Sequence, residues 1–314
     1  MEDQMKTAFL CSGQGAQRVG MGVDFASAIP ACAEVYDAAS RAAGLDVLAL
    51  CAEGPDEELA LTQNTQPALV ATSLAIAEAL AGRGVRPDAV AGFSLGEYAA
   101  HAIAGTVSAE VALELVARRG RFMGEAAART DGGMAALLRC DAAQAEELCG
   151  RYAREFGQVL VPANYNCPGQ VVISGQTEAL DAASRAWRES GGKVLPVATS
   201  GAFHSPLMQY AAERMSLALE MTGFAASEIP LYCNVDARPL EVGRERESLV
   251  AQITSPVLWE QTIRNMIDDG VGRFIECGPG RVLTGMVKRV ARDAGADVEY
   301  LCVEKIEDLE AFSG

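Results

Sequence analysis

Two kinds of apolar spacing alternate along the chain. Residues 6–11, KTAFLC, and 88–93, DAVAGF, are short apolar runs bounded by glycine and polar residues, whereas 66–82, QPALVATSLAIAEALAG, and 108–128 place apolar residues at helical spacing. Such alternation predicts a parallel sheet covered by helices, an α/β fold. From about residue 133 the texture shortens: GMAALL reads as strand, DAAQAEELCGRYAREF as helix, QVLVPANYN and QVVISG as strands, TEALDAASRAWRESGG as helix and KVLPVAT as strand. That βαββαβ order is the ferredoxin-like one, and it reads as a small unit, 131–198, inserted into a larger one made of 1–130 and 199–314. Beyond it the larger pattern resumes with a helix at about 205–222, IPLYCNV as strand, SPVLWEQTIRNMIDDG as helix, GRFIECG as strand, a helix over 279–293 and VEYLCV as a last strand.

Composition narrows the function classes. Of 314 residues half are apolar and 22% charged, the balance of a folded soluble protein. Lys and Arg number 26 against 42 Asp and Glu, a net charge of −16 that repels phosphate backbones and argues against a nucleic-acid partner. Any anionic ligand must be met by a local cation. The opening MEDQMKTAFLCSGQG lacks the cationic start and apolar run of an export signal, and no stretch approaches the roughly 20 apolar residues of a membrane span, so a cytoplasmic protein with no membrane partner is expected. Nine cysteines are scattered without a CxxC pair, which points away from zinc ribbons and disulfide frameworks and toward reduced, mostly buried thiols.

The run AVAGFSLGEYAA, 89–100, carries candidate chemistry. Gly92-Phe93-Ser94-Leu95-Gly96 fits the G-x-S-x-G nucleophile elbow, with a strand before and a helix after, in which the glycines permit a sharp turn and the serine is held strained and exposed. A serine of ordinary pKa needs a base, and the chain has two histidines. His101 lies seven residues along the same predicted helix, about 10 Å at 1.5 Å per residue, too far for a working contact near 3 Å. His204, in the loop SGAFHSPLM, is left as the base, and the order Ser then His agrees with elbow hydrolases. An oxyanion formed by attack needs backbone donors; the amide of Leu95 follows the nucleophile, and the glycine-rich CSGQGAQ loop, with Gln14 at its centre, is placed to give a second.

Several stretches then coincide with one family. CSGQGAQ, TQPAL at 65–69, GFSLGEYAA, RRGRFM at 118–123, NYNCPGQVVISG, GAFHSPLM, SPVLW and ECGPGRVLTGM together resemble the malonyl-CoA:acyl-carrier-protein transacylases of bacterial fatty acid synthesis, nearly end to end. The resemblance implies a hydrolase-like parallel-sheet core with the ferredoxin-like insert, and ping-pong transfer of malonyl from malonyl-CoA to the phosphopantetheine thiol of acyl carrier protein. It implies Ser94 as nucleophile, His204 as base, the amides of Gln14 and Leu95 as oxyanion hole, and Arg119 as the cation on the malonate carboxylate. It further implies that a backbone carbonyl, at Leu258, orients the histidine. Asn166 is a pocket donor by the same alignment, and Phe203 restricts room for a substituted malonate. One departure stands out: Phe93 occupies the place before the nucleophile where the family usually has histidine, and must fill that space apolarly.

No metal or redox cofactor is called for, since CoA thioester and carrier are substrates. The family's carriers are acidic, so docking on a chain of charge −16 calls for a local basic face. Arg281, Lys288 and Arg292, spaced by seven and four on one predicted helix, form such a stripe. Two rival functions share the motifs: a polyketide-type acyltransferase with another extender unit, and a thioesterase that would release acid to water.

Overall fold

The computed structural model describes residues 5–312; residues 1–4 of the N-terminal stretch lie outside them. Among the described residues nine strands form two sheets: β1 (Lys6–Cys11), β2 (Ala89–Gly92), β3 (Gly132–Leu138), β4 (Leu160–Cys167), β5 (Gln170–Gln176), β6 (Lys193–Pro196), β7 (Leu231–Tyr232), β8 (Val271–Cys277) and β9 (Glu299–Val303). The larger sheet runs β7-β2-β1-β8-β9 with every pair parallel. Successive side chains serve opposite faces, as strand geometry requires. Phe9, Cys11, Val90 and Ile275 enter one apolar layer with Leu69 and Ile76, while Ala8, Leu10, Ala91 and Phe274 enter the other with Trp259 and Val287. Both faces are thus covered, which is why these strands read as unbroken apolar runs.

The smaller sheet is antiparallel in the order β4-β5-β3-β6. Helices Ala142–Phe156 and Thr177–Glu189 cover one face, packing Ala145, Cys149 and Ala183 on Leu137 and Ile173. The first of these starts at a capping box between Asp141 and Gln144. On the other face Met134, Ala136 and Val172 turn toward the larger unit. A seam joins the two: Val257 N donates to Ala163 O at 2.8 Å and Tyr165 N to Val257 O at 2.9 Å.

The structure departs from the expected elements in three respects. IPLYCNV, predicted as a full strand, pairs only at Leu231 and Tyr232, because Cys233 N bonds to Arg238 O in a turn and Asn234 leaves the sheet. The helix predicted from Ser255 begins at Trp259, the intervening residues being used for the seam. The four helices between Val23 and Ala60, and the helix Glu245–Ala251, were not anticipated. All nine cysteines are free thiols, and eight are buried. No helix among the described residues is long and apolar enough to cross a membrane.

Candidate active site

β2 ends at Gly92, and the chain reverses within four residues into the helix Gly96–Ile103. A Cβ on Gly92 would lie 1.9 Å from the Gly96 carbonyl carbon, and one on Gly96 would lie 2.4 Å from Cys11 O, so neither position accepts a side chain. Between them Ser94 takes a positive φ of 54°, a costly conformation for a non-glycine residue. The expected strain is therefore present, but the expected exposure is not: Ser94 is 9% exposed, at the wall of a cavity of about 360 Å³. Its main chain is clamped on both sides. Asn234 Oδ1 accepts from Ser94 N at 2.7 Å, and Gln252 Nε2 donates to Ser94 O at 2.9 Å.

His204 reaches this hydroxyl from the loop after β6, with Nε2 2.7 Å from Ser94 Oγ. Its Nδ1 faces Gln252 O at 2.9 Å and Ser255 O at 3.2 Å. Carbonyls only accept, so Nδ1 carries the proton and Nε2 presents its lone pair to the serine. Burial, with the nearby Arg119 charge, lowers the imidazole pKa from 6.5 to about 4, which keeps it neutral near pH 7. The expectation that the Leu258 carbonyl orients this ring is corrected: Leu258 O accepts from Thr262 N and Oγ1 at 2.9 and 3.0 Å, inside the first turn of the helix Trp259–Asp268. Gln252 instead caps the end of the helix Glu245–Ala251, where carbonyls have no intrahelical partner and remain free to accept. The other histidine, His101, is a core residue bonded to Thr106 Oγ1 at 2.7 Å.

Of the three clustered arginines only Arg119 turns inward. Arg118 and Arg121 are exposed beside Glu114 and Glu125, while Arg119 is 1% exposed. Its Nη2 donates to Ser94 Oγ at 3.0 Å and to Gln252 Oε1 at 2.9 Å, and its Nη1 to Gln66 Oε1 at 2.8 Å; Nε has no partner among the described residues. Burial lowers its pKa, yet arginine keeps its charge.

The CSGQGAQ loop lies against the elbow, where a Cβ on Gly13 would be 2.6 Å from the Phe93 ring. Gln14 lines the cavity beside Ser94 and Leu95 follows the serine in sequence, and neither main-chain amide donates a hydrogen bond to another described residue. The Gln14 side chain accepts from Thr62 Oγ1 at 2.9 Å. Phe93, Phe203 and Asn166 line the same cavity, and Phe93 packs edge-on against Trp259 with ring centroids 5.3 Å apart. Asn166 Oδ1 has no partner among the described residues. Arg281 and Lys288 line a separate surface groove of about 540 Å³, with Tyr300 and Phe312; Arg292 is exposed further along the helix Val282–Ala294.

Sequence reading missed Gln66, Glu97, Asn234 and Gln252, all buried and all bonded to the residues above or to one another. A signal was available for two of them: Glu97 and Gln66 are polar residues inside otherwise apolar helical stretches, and burying them requires partners.

Comparison with known proteins identifies the family. A family profile described as an acyl transferase domain matches residues 8–312. Malonyl CoA-acyl carrier protein transacylase of Bacillus subtilis (strain 168) is 42% identical over 289 residues, 91% of each chain. Its counterpart from Escherichia coli (strain K12) is 41% identical over 90% of this chain and 92% of its own. Among solved structures, the Coxiella burnetii malonyl CoA-acyl carrier protein transacylase superposes with a TM-score of 0.92 at 36% identity, covering 98% of this chain and 96% of that one. A malonyl-transacylase in complex with its type II PKS acyl-carrier protein superposes equally well, with a TM-score of 0.92 at 37% identity and 98% coverage of both. With the profile matched over residues 8–312 and relatives 41–42% identical over about nine-tenths of their own length, the chain belongs to the acyl transferase family, among the malonyl CoA-acyl carrier protein transacylases.

Proposed function

We propose that the chain transfers malonyl from malonyl-CoA to the phosphopantetheine thiol of an acyl carrier protein, through a malonyl ester on Ser94. The observation that carries this reading is that Ser94 Oγ sits 2.7 Å from a neutral imidazole and 3.0 Å from a buried guanidinium. In the first half-reaction His204 Nε2 takes the Ser94 proton as Oγ attacks the thioester carbon. The Leu95 and Gln14 amides receive the oxyanion, and the CoA thiolate leaves with the proton from His204. In the second half the carrier thiol gives its proton to His204, attacks the ester carbonyl and leaves Ser94 as the free alcohol.

Arg119 supplies selectivity. A carboxylate at the far end of the acyl group pairs with its guanidinium, whereas an acyl group without one leaves a buried charge unanswered. Phe203 and Phe93 bound the acyl end with apolar surface, and Asn166 offers a polar contact. Serine, imidazole and main-chain amides suffice for both steps, so the reading calls on no metal or redox cofactor.

Acidic carriers meet the exposed stripe of Arg281, Lys288 and Arg292 in this reading, and the reaction takes place in the cytoplasm. Intact mass after incubation with malonyl-CoA alone tests it: a malonyl adduct that is absent in Ser94→Ala and discharged by holo carrier is expected. Steady release of malonate to water without carrier would instead establish a thioesterase.

A further inference from the structure

The helix that begins at the elbow carries one acidic residue, Glu97, whose side chain is fully buried and forms no ion pair among the described residues. Its Oε2 accepts from two neutral groups, Asn234 N at 3.0 Å and Gln252 Nε2 at 3.0 Å, while Oε1 has no partner among the described residues. An isolated buried carboxyl is costly, and a methyl-bearing side chain would fill the same space without that cost. What sets Glu97 apart is what its two partners do next. Gln252 Nε2 also donates to Ser94 O, Gln252 Oε1 accepts from Arg119, and Gln252 O accepts from His204 Nδ1. Asn234 Oδ1 accepts from Ser94 N and Asn234 Nδ2 donates to Gly92 O at 2.7 Å.

The Gln252 side-chain amide can in principle turn over, exchanging its donor and acceptor ends. Two acceptors on one side, Ser94 O and Glu97 Oε2, fix the NH₂ end there and leave the oxygen for Arg119. Removing Glu97 deletes one of those acceptors and frees Asn234 N as well. The positive φ at Ser94 persists only while its surroundings hold it, and both of its clamps are tied to this one carboxyl.

We propose that Glu97 is a positioning residue that, through Gln252 and Asn234, keeps the Ser94 main chain, the His204 ring and the Arg119 guanidinium in register. The inference rests on Ser94 as the activated nucleophile, and its test uses a probe that needs that activation but no malonyl group. Full-length protein is treated with a fluorophosphonate, and the rate of Ser94 labelling is followed by intact mass.

Wild-type protein labels at Ser94, Glu97→Ala labels about 10²-fold more slowly, and Glu97→Gln, whose carbonyl oxygen can accept both N–H groups, stays within a few-fold of wild type. With malonyl-CoA the Ala variant loses kcat while KM moves little. If Glu97→Ala does not fold, Glu97→Asp replaces it; its shorter reach slows labelling about tenfold. A folded Ala or Asp variant that labels at the wild-type rate overturns the inference alone, as does a Gln variant as slow as Ala. Failure of wild-type protein to label overturns the nucleophile reading, and this inference with it.

Discussion

Ser94 and His204, 110 positions apart in sequence, meet at 2.7 Å with both residues held at positive φ, 54° and 55°. Neither conformation is favoured by its own side chain, so the contact is made by tertiary structure: a tight elbow fixed by glycines on one side and carbonyls of 252 and 255 on the other. The first prediction follows from that dependence. Ser94→Ala abolishes the acyl-enzyme, and His204→Ala lowers the rate of its formation by about 10³-fold, within the range of a lost general base, as followed by quenched-flow mass spectrometry.

The pH profile of acylation departs from that of an ordinary histidine. Because burial holds His204 at about 4, the neutral base persists as pH falls through 6.5, and the rate declines only toward about 4. Rapid pH-jump acylation assays on folded protein check this; a half-loss near 6.5 contradicts it.

Stability shows the reverse side of the same burial. His204 and His101 are both lowered to about 4, so between 6.5 and 4 the unfolded chain binds protons that the folded chain refuses. Their contribution is present above 6.5 and lost as pH falls through that window, by up to about 3 kcal/mol each. Glu97, raised by burial to about 7, acts oppositely: its contribution is present below 4.5 and lost as pH rises to 7. Accordingly the Tm of Glu97→Gln gains on wild type between pH 5 and 8, and thermal unfolding across that range measures it.

Arg119→Ala reduces kcat/KM for malonyl-CoA by about 10²-fold or more, the loss of a desolvated charge pair, and narrows the preference over acetyl-CoA. Competition between the two thioesters, read as the ratio of Ser94 adducts, is the direct measurement. An unchanged ratio removes Arg119 from recognition of the acyl group.

Charge reversal at Lys288 and Arg292 together raises KM for holo carrier several-fold and leaves malonyl-enzyme formation from malonyl-CoA unaffected. The effect weakens with added salt, as exposed charges on this helix require.

How much of this was legible beforehand depended on whether the cause was local. β1 was read residue for residue, because an apolar run bounded by polar residues is a local signal. The elbow was legible because steric exclusion at Gly92 and Gly96 is written in the residue types themselves. Arg119 was singled out from Arg118 and Arg121 by the family resemblance alone, since the inward face of its helix, three and four residues beyond the buried Val116 and Leu115, is set by packing. The histidine's acceptors were not legible. Any carbonyl is chemically the same in sequence, and only the end of the helix at Ala251 leaves Gln252 O unoccupied, whereas Leu258 O is consumed by Thr262. Asn234 was hidden for a related reason: its stretch reads as strand, and it serves the site only because pairing stops at Tyr232.

The seam at Val257 has a mechanical corollary. It lies two residues past Ser255, one of the two carbonyls under His204, and it is stitched to the smaller sheet by two main-chain bonds. A hinge motion parting the halves to admit bulkier cargo would have to unzip that stitch, at about 1 kcal/mol per bond, and would pull on the segment that aims the imidazole. Under the proposed function, widening the mouth and shifting the carbonyl beneath His204 would therefore be a single movement.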